Sequence, residues 1–401
     1  TLIALQIESN SSNEDKLKSI QILTSGIAHY FVYNQNTGKW EISENKTATS
    51  NIASWLYEVL TSSAHLPSKV AEEEIDIDSF GQWYDYCSVN NLNVNEVISD
   101  GEPKEEIISH LLSLGNAIMY NNIYGKLTIA YDDKQTNAIA VLNSQNLISL
   151  NYKKEFSQLL DGELYSYVSA LEDYRTSSLL VMEEGKTRTD DSVVKECTIK
   201  GITDENQLAE YARRNMKIRH LRTKAVTATV GLEGIFYTPF SKVLVQHPSL
   251  KIGLGNTSIK SLITDTSGRI TGLNLYEPIT MESDKTYAVV VQCAGLTKSG
   301  DESYCLPAGY YLETQEGVNY SVNLSTPIDI ENTEAFPQPG NILSYGYDIN
   351  TATSPMLIVG MEQKENSIEL SLVDYSDSLY ESGEIIDYVP NLTQPHKAVN
   401  R

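Results

Sequence analysis

The chain has 401 residues, of which 41% are hydrophobic and 21% charged, and its formal net charge at pH 7 is −23. A chain of this length and composition predicts a globular protein of about two to four domains, which excludes an intrinsically disordered protein. The negative charge also argues against a surface that coats nucleic acid or binds anionic membranes, because both need a basic field.

The four cysteines, Cys87, Cys197, Cys293 and Cys305, form no C-x-x-C pair and have no histidine at metal-ligand spacing. We therefore expect free buried thiols rather than a disulfide framework or a zinc site. The chain opens without Met, without a basic region and without a long apolar run, which predicts a processed or truncated N-terminus and no signal peptide. No stretch approaches the roughly 20 apolar residues of a membrane span, so no stable membrane insertion is expected.

Residues 1–50 are predicted to be strands of a partial β domain. Two short strands, Tyr30 to Tyr33 and Lys39 to Ile42, flank a loop that contains Gly38, which is typical of a β-hairpin. Because an isolated hairpin is marginally stable in water, this one is expected to belong to a larger sheet.

Residues 51–140 predict an α+β domain, because the apolar period changes there from that of a strand to that of a helix. Three amphipathic helices are expected to begin near residues 52, 78 and 103. A hairpin is predicted to follow them between residues 117 and 131.

Residues 141–250 predict a β domain that contains one long helix. The helix is expected over 204–222, where one half of the helical wheel is apolar and the other half basic. An alternating strand at 225–230 and an apolar strand at 243–246 follow, separated by a glycine-bounded turn. Together they predict a helix that leads into a β-hairpin.

Residues 251–380 predict a third β-rich domain. The polar stretch 293–340 has few periodic runs and predicts long loops, whereas two clear strands return at 355–360 and 367–373. The proline-containing residues 381–401 predict a linker or tail. The fold class is therefore a multidomain, mainly β protein with one α+β unit.

Residues suited to catalysis do not cluster in the sequence. The six histidines lie far apart, and there is no G-x-S-x-G motif and no phosphate-binding glycine loop. Acidic groups at 72–78, 132–133 and 190–191 could serve a glycosidase, but in a chain with 53 acidic residues a solvated surface explains them. We predict no enzyme activity, no catalytic residue, no metal and no cofactor.

A basic run stands out against the acidic background. It has two interpretations: a ring of positive charge that lines a DNA-passing channel or pairs with an acidic neighbouring subunit, or a solvated helix face that complements the helix dipole. The second is favoured on sequence grounds. The candidate channel or subunit-interface residues are Arg213, Arg214, Lys217, Arg219, Arg222 and Lys224.

The run LRTKAVTATVGLEGIFYTPFSKVLVQH, from Leu221 to His247, resembles the end of the central conserved region in tail-hub proteins of tailed bacteriophages. That family includes the lambda-type host-specificity (tip attachment) proteins and the putative phage tail protein domain. Its members show a basic helix, a strand of the type xTVTxxT, then GLEG, a proline-containing segment and a V-x-V-x-H strand. The family turn P-G-D-V is replaced here by residues 239–243, PFSKV, so a turn of different shape is expected within the same hairpin.

Three further motifs match those of the hub family in the family's order. In this chain they are NIASWLYEVLTS at 51–62, IDSFGQWYDYC at 77–87, and a helix that leads into a hairpin at 102–131. A closing Y-x-x-x-x-Y segment matches at 375–380. The resemblance thus covers about residues 50–380.

The resemblance implies a tail-hub architecture with tube-like β-barrel domains. Residues 1–50 would contribute hub barrel strands, 141–250 would be a hub barrel related to tail-tube proteins, and the strands at 355–373 would return to the barrel. It also implies a homotrimer that closes the tail tube, with a role in host attachment and DNA ejection.

The implied partners are the distal tail or tail-tube protein, the tape-measure protein, the receptor-binding fibre and, transiently, genomic DNA. The implied location is the tail tip of a virion, with assembly in the host cytoplasm. Two alternatives stay open: a tail-associated cell-wall or polysaccharide hydrolase, and a receptor-binding adhesin.

Overall fold

The computed structural model describes residues 24–62, 69–98, 102–154, 160–183, 185–189, 191–296, 303–333, 335–381 and 389–390. Strands hold 43% of these described residues and helices 22%, so the predicted mainly β fold with an α+β unit is confirmed. Residues 1–23 of the predicted first domain and most of the predicted tail at 381–401 lie outside the described residues.

The helices are α1 Ile52–Thr61, α2 Ile77–Val89, α3 Lys104–Leu114, α4 Glu205–Leu221 and α5 Ile349–Ala352. Short 3₁₀ helices occur at Glu72–Glu74, Leu232–Phe236, Pro248–Leu250, Ile330–Asn332 and Asp377–Leu379. The strands up to α4 are β1 Ile27–Ala28, β2 Phe31–Asn34, β3 Lys39–Ile42, β4 Thr47–Ala48, β5 Ala117–Asn121, β6 Leu127–Tyr131, β7 Ala140–Leu142, β8 Leu147–Lys154, β9 Gly162–Ser169, β10 Arg175–Met182 and β11 Val194–Thr198. Those after it are β12 Lys224–Val230, β13 Lys242–Val245, β14 Gly255–Thr264, β15 Ile270–Met281, β16 Tyr287–Leu296, β17 Ser303–Leu312, β18 Gly317–Ile328, β19 Ala335–Phe336, β20 Ile342–Gly346, β21 Ser354–Gln363, β22 Ile368–Asp374 and β23 Val389–Pro390.

Local sequence signals account for the helix ends. Asn51 caps α1, because its side-chain oxygen accepts a hydrogen bond from the backbone N–H of Ala53 at 2.9 Å. Asp204 caps α4 in the same way, through the N–H of Gln207 at 2.8 Å. Gly115 ends α3. The three helices predicted at 52, 78 and 103 are therefore observed within one or two residues of their expected starts.

The first core contains α1, α2 and α3, the β5–β6 hairpin, strands β9 and β10, and helix α4. Phe80 and Trp83 of α2 lie at its centre with no solvent exposure. The apolar face of α4, with Leu208, Ala212 and Met216, packs into this same core. The sequence assigns this helix to the 141–250 barrel domain, and in the structure its buried face packs both on β9 and β10 of that range and on the α+β unit.

The N-terminal hairpin β2–β3 pairs as predicted, with Tyr33 opposite Trp40. Among the described residues it forms a sheet of two strands. Packing against α2 stabilises it instead, since Phe31 lies in the first core and the backbone N–H of Trp40 donates to Asp78 Oδ1 at 2.8 Å.

The second core lies against an open six-stranded sheet with the order β7-β13-β21-β22-β12-β8. Val226, Ala228 and Val230 are buried in it, as their alternation predicts. The predicted hairpin of β12 with β13 is wrong, because β21 and β22 lie between these strands. The chain crosses the end of β22 in the 232–236 turn instead of folding back, and Gly234 is buried there against Ile368.

The third core is the interior of a closed barrel. β17 pairs with β16 on one side and with β18 on the other, so the order β17-β18-β15-β14-β20-β16 closes on itself, and β19 adds to β16. The long loops predicted at 293–340 are wrong, since β17 and β18 lie there. Leu312, Val322 and Leu324 point into the barrel, but the polar side chains between them obscured the alternation in the sequence.

The turn at 238–241 lies where Phe240 replaces the glycine of the family's P-G-D-V turn. The backbone N–H of Ser241 donates to the carbonyl of Thr238 at 3.2 Å, and Pro239 precedes Phe240, whose φ is +58°. This is the pattern of a type II turn, in which the third residue is normally glycine. A phenylalanine is therefore held in the left-handed region at this position.

Candidate functional site: the basic end of helix α4

All six basic residues singled out in the sequence contact acceptors within the chain. Arg214 and Arg222 both bind Asp132, Arg219 binds Glu163, and Arg213 binds Glu210. Lys224 Nζ lies 3.2 Å from Asp374 Oδ1. Lys217 Nζ donates to the carbonyl oxygen of Glu381 at 2.7 Å.

Asp132 is the centre of this arrangement. It follows β6 directly and is 4% exposed. Arg214 Nη2 lies 2.6 Å from its Oδ2, and Arg222 reaches both carboxylate oxygens at 2.8 Å. The Tyr380 hydroxyl donates to Oδ1 at 2.6 Å. Hydrogen bonds between charged groups are stronger than those between neutral groups. Because two guanidinium groups bind one carboxylate, these three side chains together carry a net positive charge.

Residues Asp374–Glu381, which we call the C-terminal clasp, lie over this cluster. The rings of Tyr375 and Tyr380 are 5.8 Å apart. The Tyr375 hydroxyl accepts a hydrogen bond from the backbone N–H of Gln135 at 2.9 Å and donates to Asp377 Oδ1 at 2.9 Å. The Lys242 ammonium lies 4.9 Å from the centre of the Tyr375 ring, within range of a cation–π interaction. The clasp thus joins β22 to the α+β unit.

Burial and charge fix the protonation of this cluster. Burial, with the Asp132 carboxylate beside it, raises the pKa of Tyr380, and burial raises the pKa of Tyr375 to about 12. Burial alone would lower the pKa of Arg222, but its hydrogen bonds and charge interaction with Asp132 outweigh this and raise it. Both phenols therefore stay neutral donors and Arg222 stays charged across the physiological range.

A second buried carboxylate, Glu163 of β9, binds the other side of α4. Glu163 is 2% exposed and pairs with Arg219, while the Tyr165 hydroxyl donates to its Oε2 at 2.7 Å. Next to it, His220 Nε2 lies 2.7 Å from Oε1 of Glu183, which directly follows the neighbouring strand β10. The helix is thus attached by charge to both the β6 end and the β9–β10 pair.

These contacts bear on the two interpretations of the basic run. The side chains of Arg213, Arg214, Arg219 and Arg222 are 10–18% exposed, so they do not form a solvated face. Their charges point at acceptors in the same chain. A channel or subunit-interface role for the set stays a prediction.

Sequence reasoning missed the acidic half of the cluster. The sequence predicts that Asp132, like Asp133, lies on a solvated surface. This prediction is wrong for Asp132, which is buried. The position of Asp132 directly after a strand is the one signal in the sequence that could have indicated its burial. A carboxylate buried there needs a cationic partner, and the basic helix supplies one. Of the other acidic groups, Glu72, Glu73 and Glu74 are exposed, and Asp190 lies outside the described residues.

Other features associated with binding or catalysis were compared with this cluster. Within the described ranges no group of three His, Cys, Asp or Glu side chains could hold a metal ion, and no helix is long and apolar enough to cross a membrane. Cys87 and Cys293 are buried, as expected, and Cys197 is half-buried. A polar cavity of about 540 Å³ lies between Gly26, Asn51, Asn93 and Tyr174, and neither carboxylate nor imidazole lines it.

Comparisons with known proteins give likenesses to solved structures only. Neither a protein-family model nor a curated protein matches the sequence. Among solved structures, the chain resembles the tail protein from Neisseria meningitidis MC58, with 11% identity and a TM-score of 0.34 over 72% of this chain and 60% of that one. It also resembles a chain in the virion of a native gene transfer agent particle, with 8% identity and a TM-score of 0.44 over 96% of this chain and 56% of that one.

A third similar structure is the 43 kDa tail protein of prophage MuSo2 from Shewanella oneidensis, with 11% identity and a TM-score of 0.27 over 60% of this chain and 56% of that one. The chain therefore spans 56–60% of the length of these three structures. With TM-scores below 0.5, these likenesses assign no function to it.

Proposed function

We propose that the chain is a structural tail protein of a bacteriophage or prophage, and specifically a tail hub that closes the tail tube as a homotrimer. Four motifs in the family's order, between residues 51 and 247, carry this proposal. Their residues occupy positions that the fold requires. Asn51 caps α1, Trp83 is fully buried, and a side chain at Gly234 would come within 2.6 Å of Val230.

The closing Y-x-x-x-x-Y motif supports the proposal in the same way. Tyr375 and Tyr380 hold the clasp on the α+β unit, so a motif near residue 380 joins two units that lie far apart in the sequence. A hub needs such joints, because it must keep its domains in fixed positions around the tail axis. Function would then reside in rigid surfaces rather than in a reaction.

The proposed partners follow from a place at the end of the tail tube. They are two further copies of the chain, the distal tail or tail-tube protein, the tape-measure protein and the receptor-binding fibre, with genomic DNA passing during ejection. The proposed location is the virion tail tip, after assembly in the host cytoplasm.

Mass measurement of the purified chain by light scattering tests the proposal. A hub predicts a particle of three times the 44.6 kDa of one chain, either alone or after addition of the tail-tube protein from the same genome. A chain that stays monomeric with that partner present and digests peptidoglycan would instead be a hydrolase. One that stays monomeric and binds host cells would be an adhesin.

A further inference from the structure

The polar cavity of about 540 Å³ lies where the β1–β4 pair, the start of α1, the end of α2 and the turn between β9 and β10 meet. Asn51 and Cys87 at its floor are 7% and 1% exposed, whereas Ser88 and Tyr174 at its rim are exposed. The volume falls within the roughly 300–1,000 Å³ that is typical of small-molecule sites. The polar cavity is therefore a recess of ligand size with a buried floor.

The lining of the polar cavity carries polar groups but no charge. Of the fourteen described residues that line it, nine are Ser, Thr or Asn, two are Tyr, and none is Lys, Arg, His, Asp or Glu. A charged ligand would lose hydration there without gaining a counter-charge. Hydroxyl and amide side chains both donate and accept hydrogen bonds, as the hydroxyl groups of a polyol do. The lining thus suits a neutral ligand that is rich in hydroxyl groups.

Hydrogen bonds within the chain fix the polar side chains of the floor and walls. The amide nitrogen of Asn51 donates to the carbonyl of Tyr84 at 3.1 Å and to the hydroxyl of Ser88 at 3.0 Å. On the opposite wall, the Ser50 hydroxyl donates to Asn93 Oδ1 at 2.9 Å. A site whose side chains are already ordered loses less conformational entropy when it binds a ligand.

Other polar groups of the lining are available to a ligand. The side-chain amide of Asn91 and the hydroxyls of Tyr84 and Tyr174 make no hydrogen bond to another described residue. Burial raises the pKa of Tyr84, so this phenol stays a neutral hydroxyl that can donate. The polar cavity therefore offers fixed walls together with unused donors and acceptors.

The backbone at Tyr174 is strained in a way that places an aromatic ring at the rim. Asp173 and Tyr174 have φ values of +53° and +58°, both in the left-handed region. Glycine, asparagine and aspartate are the residues that usually adopt this conformation, and tyrosine is not. Reversing the chain between β9 and β10 does not itself require an aromatic residue at this position. Backbone strain of this kind is concentrated at binding sites, where the side chain that it positions has a use.

We propose that the polar cavity binds a neutral saccharide, with Tyr174 packed on one sugar ring and the amide and hydroxyl side chains bonded to its hydroxyl groups. The C–H groups on one face of a sugar ring pack well on the electron-rich face of a phenol. A peptide is a poorer match, because Gly26, Ala48 and Cys87 are the only other lining residues and form no pocket for an apolar side chain. The saccharide is bound and not cut, since glycoside hydrolysis needs a pair of carboxylates. This inference goes beyond the proposed hub and does not depend on the number of copies in the assembly.

Saturation-transfer NMR on the full chain tests the inference with three neutral probes, the trimers of glucose, mannose and N-acetylglucosamine. We expect saturation transfer to at least one of them. Preference for the N-acetylglucosamine trimer would identify cell-wall glycan as the source, and preference for a hexose trimer would identify a surface polysaccharide. The cationic glucosamine trimer is the contrast, because general attraction to a chain of net charge −23 would favour it.

Two substitutions locate the binding. Tyr174→Ala removes the ring and should weaken binding at least about tenfold, with Tyr276→Ala as the matched control, because Tyr276 is 61% exposed on the closed barrel. Ala48→Trp places a bulky side chain in the lining and should abolish binding. Its matched control is Thr47→Trp, since Thr47 is the exposed neighbour on β4 and does not line the polar cavity. Both controls should bind like the parent chain.

Thermal transitions and circular dichroism spectra show whether each variant is folded. If Tyr174→Ala does not fold, Ala48→Trp and its control decide the question. No saturation transfer to any neutral probe would overturn the inference. Neutral binding that survives both cavity substitutions, or binding of the glucosamine trimer alone, would overturn it as well. None of these results alters the mass measured by light scattering, so the saccharide site and the trimer can fail separately.

Discussion

The substitution Asp132→Asn probes the charge cluster that joins the clasp to the α+β unit. It keeps the shape of the side chain and removes its charge. Asp132 is 4% exposed, and the side chains of its partners Arg214 and Arg222 are 16% and 10% exposed. Neither guanidinium can therefore regain full hydration after the carboxylate is neutralised.

The magnitude follows from what is left unpaired. Removing one partner of a buried ion pair typically costs about 3–5 kcal/mol, because the remaining charge stays desolvated. An asparagine still offers one oxygen to Arg222 or Tyr380, so we expect the lower end of that range, about 3 kcal/mol. For a unit of this size, that corresponds to a fall in Tm of about 6–12 °C.

Differential scanning calorimetry measures this change, with Asp133→Asn as the matched control. The Asp133 side chain is half-buried and accepts a hydrogen bond from the backbone N–H of Lys134, so its change is expected to cost less than about 0.5 kcal/mol. Amides of the clasp should also exchange faster in Asp132→Asn. Equal Tm values for the two variants would show that the cluster contributes no net stability and would refute the reasoning.

Substitutions at three further positions test other parts of the structure. In urea unfolding, the free energy of unfolding of Phe240→Gly should exceed that of Phe240→Ala by about 0.5–1 kcal/mol, since only glycine adopts φ +58° without strain. Equal midpoints would contradict this. Tyr380→Phe removes a 2.6 Å hydrogen bond to Asp132 and should cost about 1.5–3 kcal/mol in calorimetry, whereas no loss would make the hydroxyl dispensable. Burial alone would raise the pKa of Glu58, but hydrogen bonds from Lys46 and the backbone N–H of His29 outweigh it and lower the pKa below 4.5. The stabilisation by ionised Glu58 should thus be complete above pH 4.5 and lost as the pH falls through the lower pKa of the folded state. In Glu58→Gln the free energy of unfolding, measured by urea unfolding at each pH, should therefore depend less on pH below 4.5.

The sequence predicts local structure well where the signal is local. Helix α4 begins at its Asp204 cap and ends within a residue of the expected position, because capping and apolar periodicity act within a few turns. The alternation of β12 likewise identifies its buried face. Sheet order is different: nothing near 225–245 specifies that β21 and β22 lie between β12 and β13. That arrangement depends on residues more than a hundred positions away in the sequence.

The candidate site shows the same limit. The basic run is visible in the sequence, but its meaning depends on Asp132 and Glu163, which only the fold brings to α4. The sequence around a basic residue does not identify the acidic residue with which it pairs in the fold. The strands at 303–328 were missed for a related reason, since a barrel wall buries only alternate residues and leaves polar side chains outside.

Because the arginines of the basic run are paired within the chain, other groups must supply the attraction between copies. Four arginines that could have balanced the negative charge of a neighbour are directed at carboxylates of their own chain. Self-association of so acidic a chain therefore needs short-range contacts, because its long-range field is repulsive. Apolar side chains act at short range, and Leu232 and Phe236 are exposed. Since the repulsion is screened by salt, self-association should strengthen as ionic strength rises from about 0.01 M to 0.15 M. Self-association that weakens over that range would show that ion pairs, and not apolar contacts, hold the copies together.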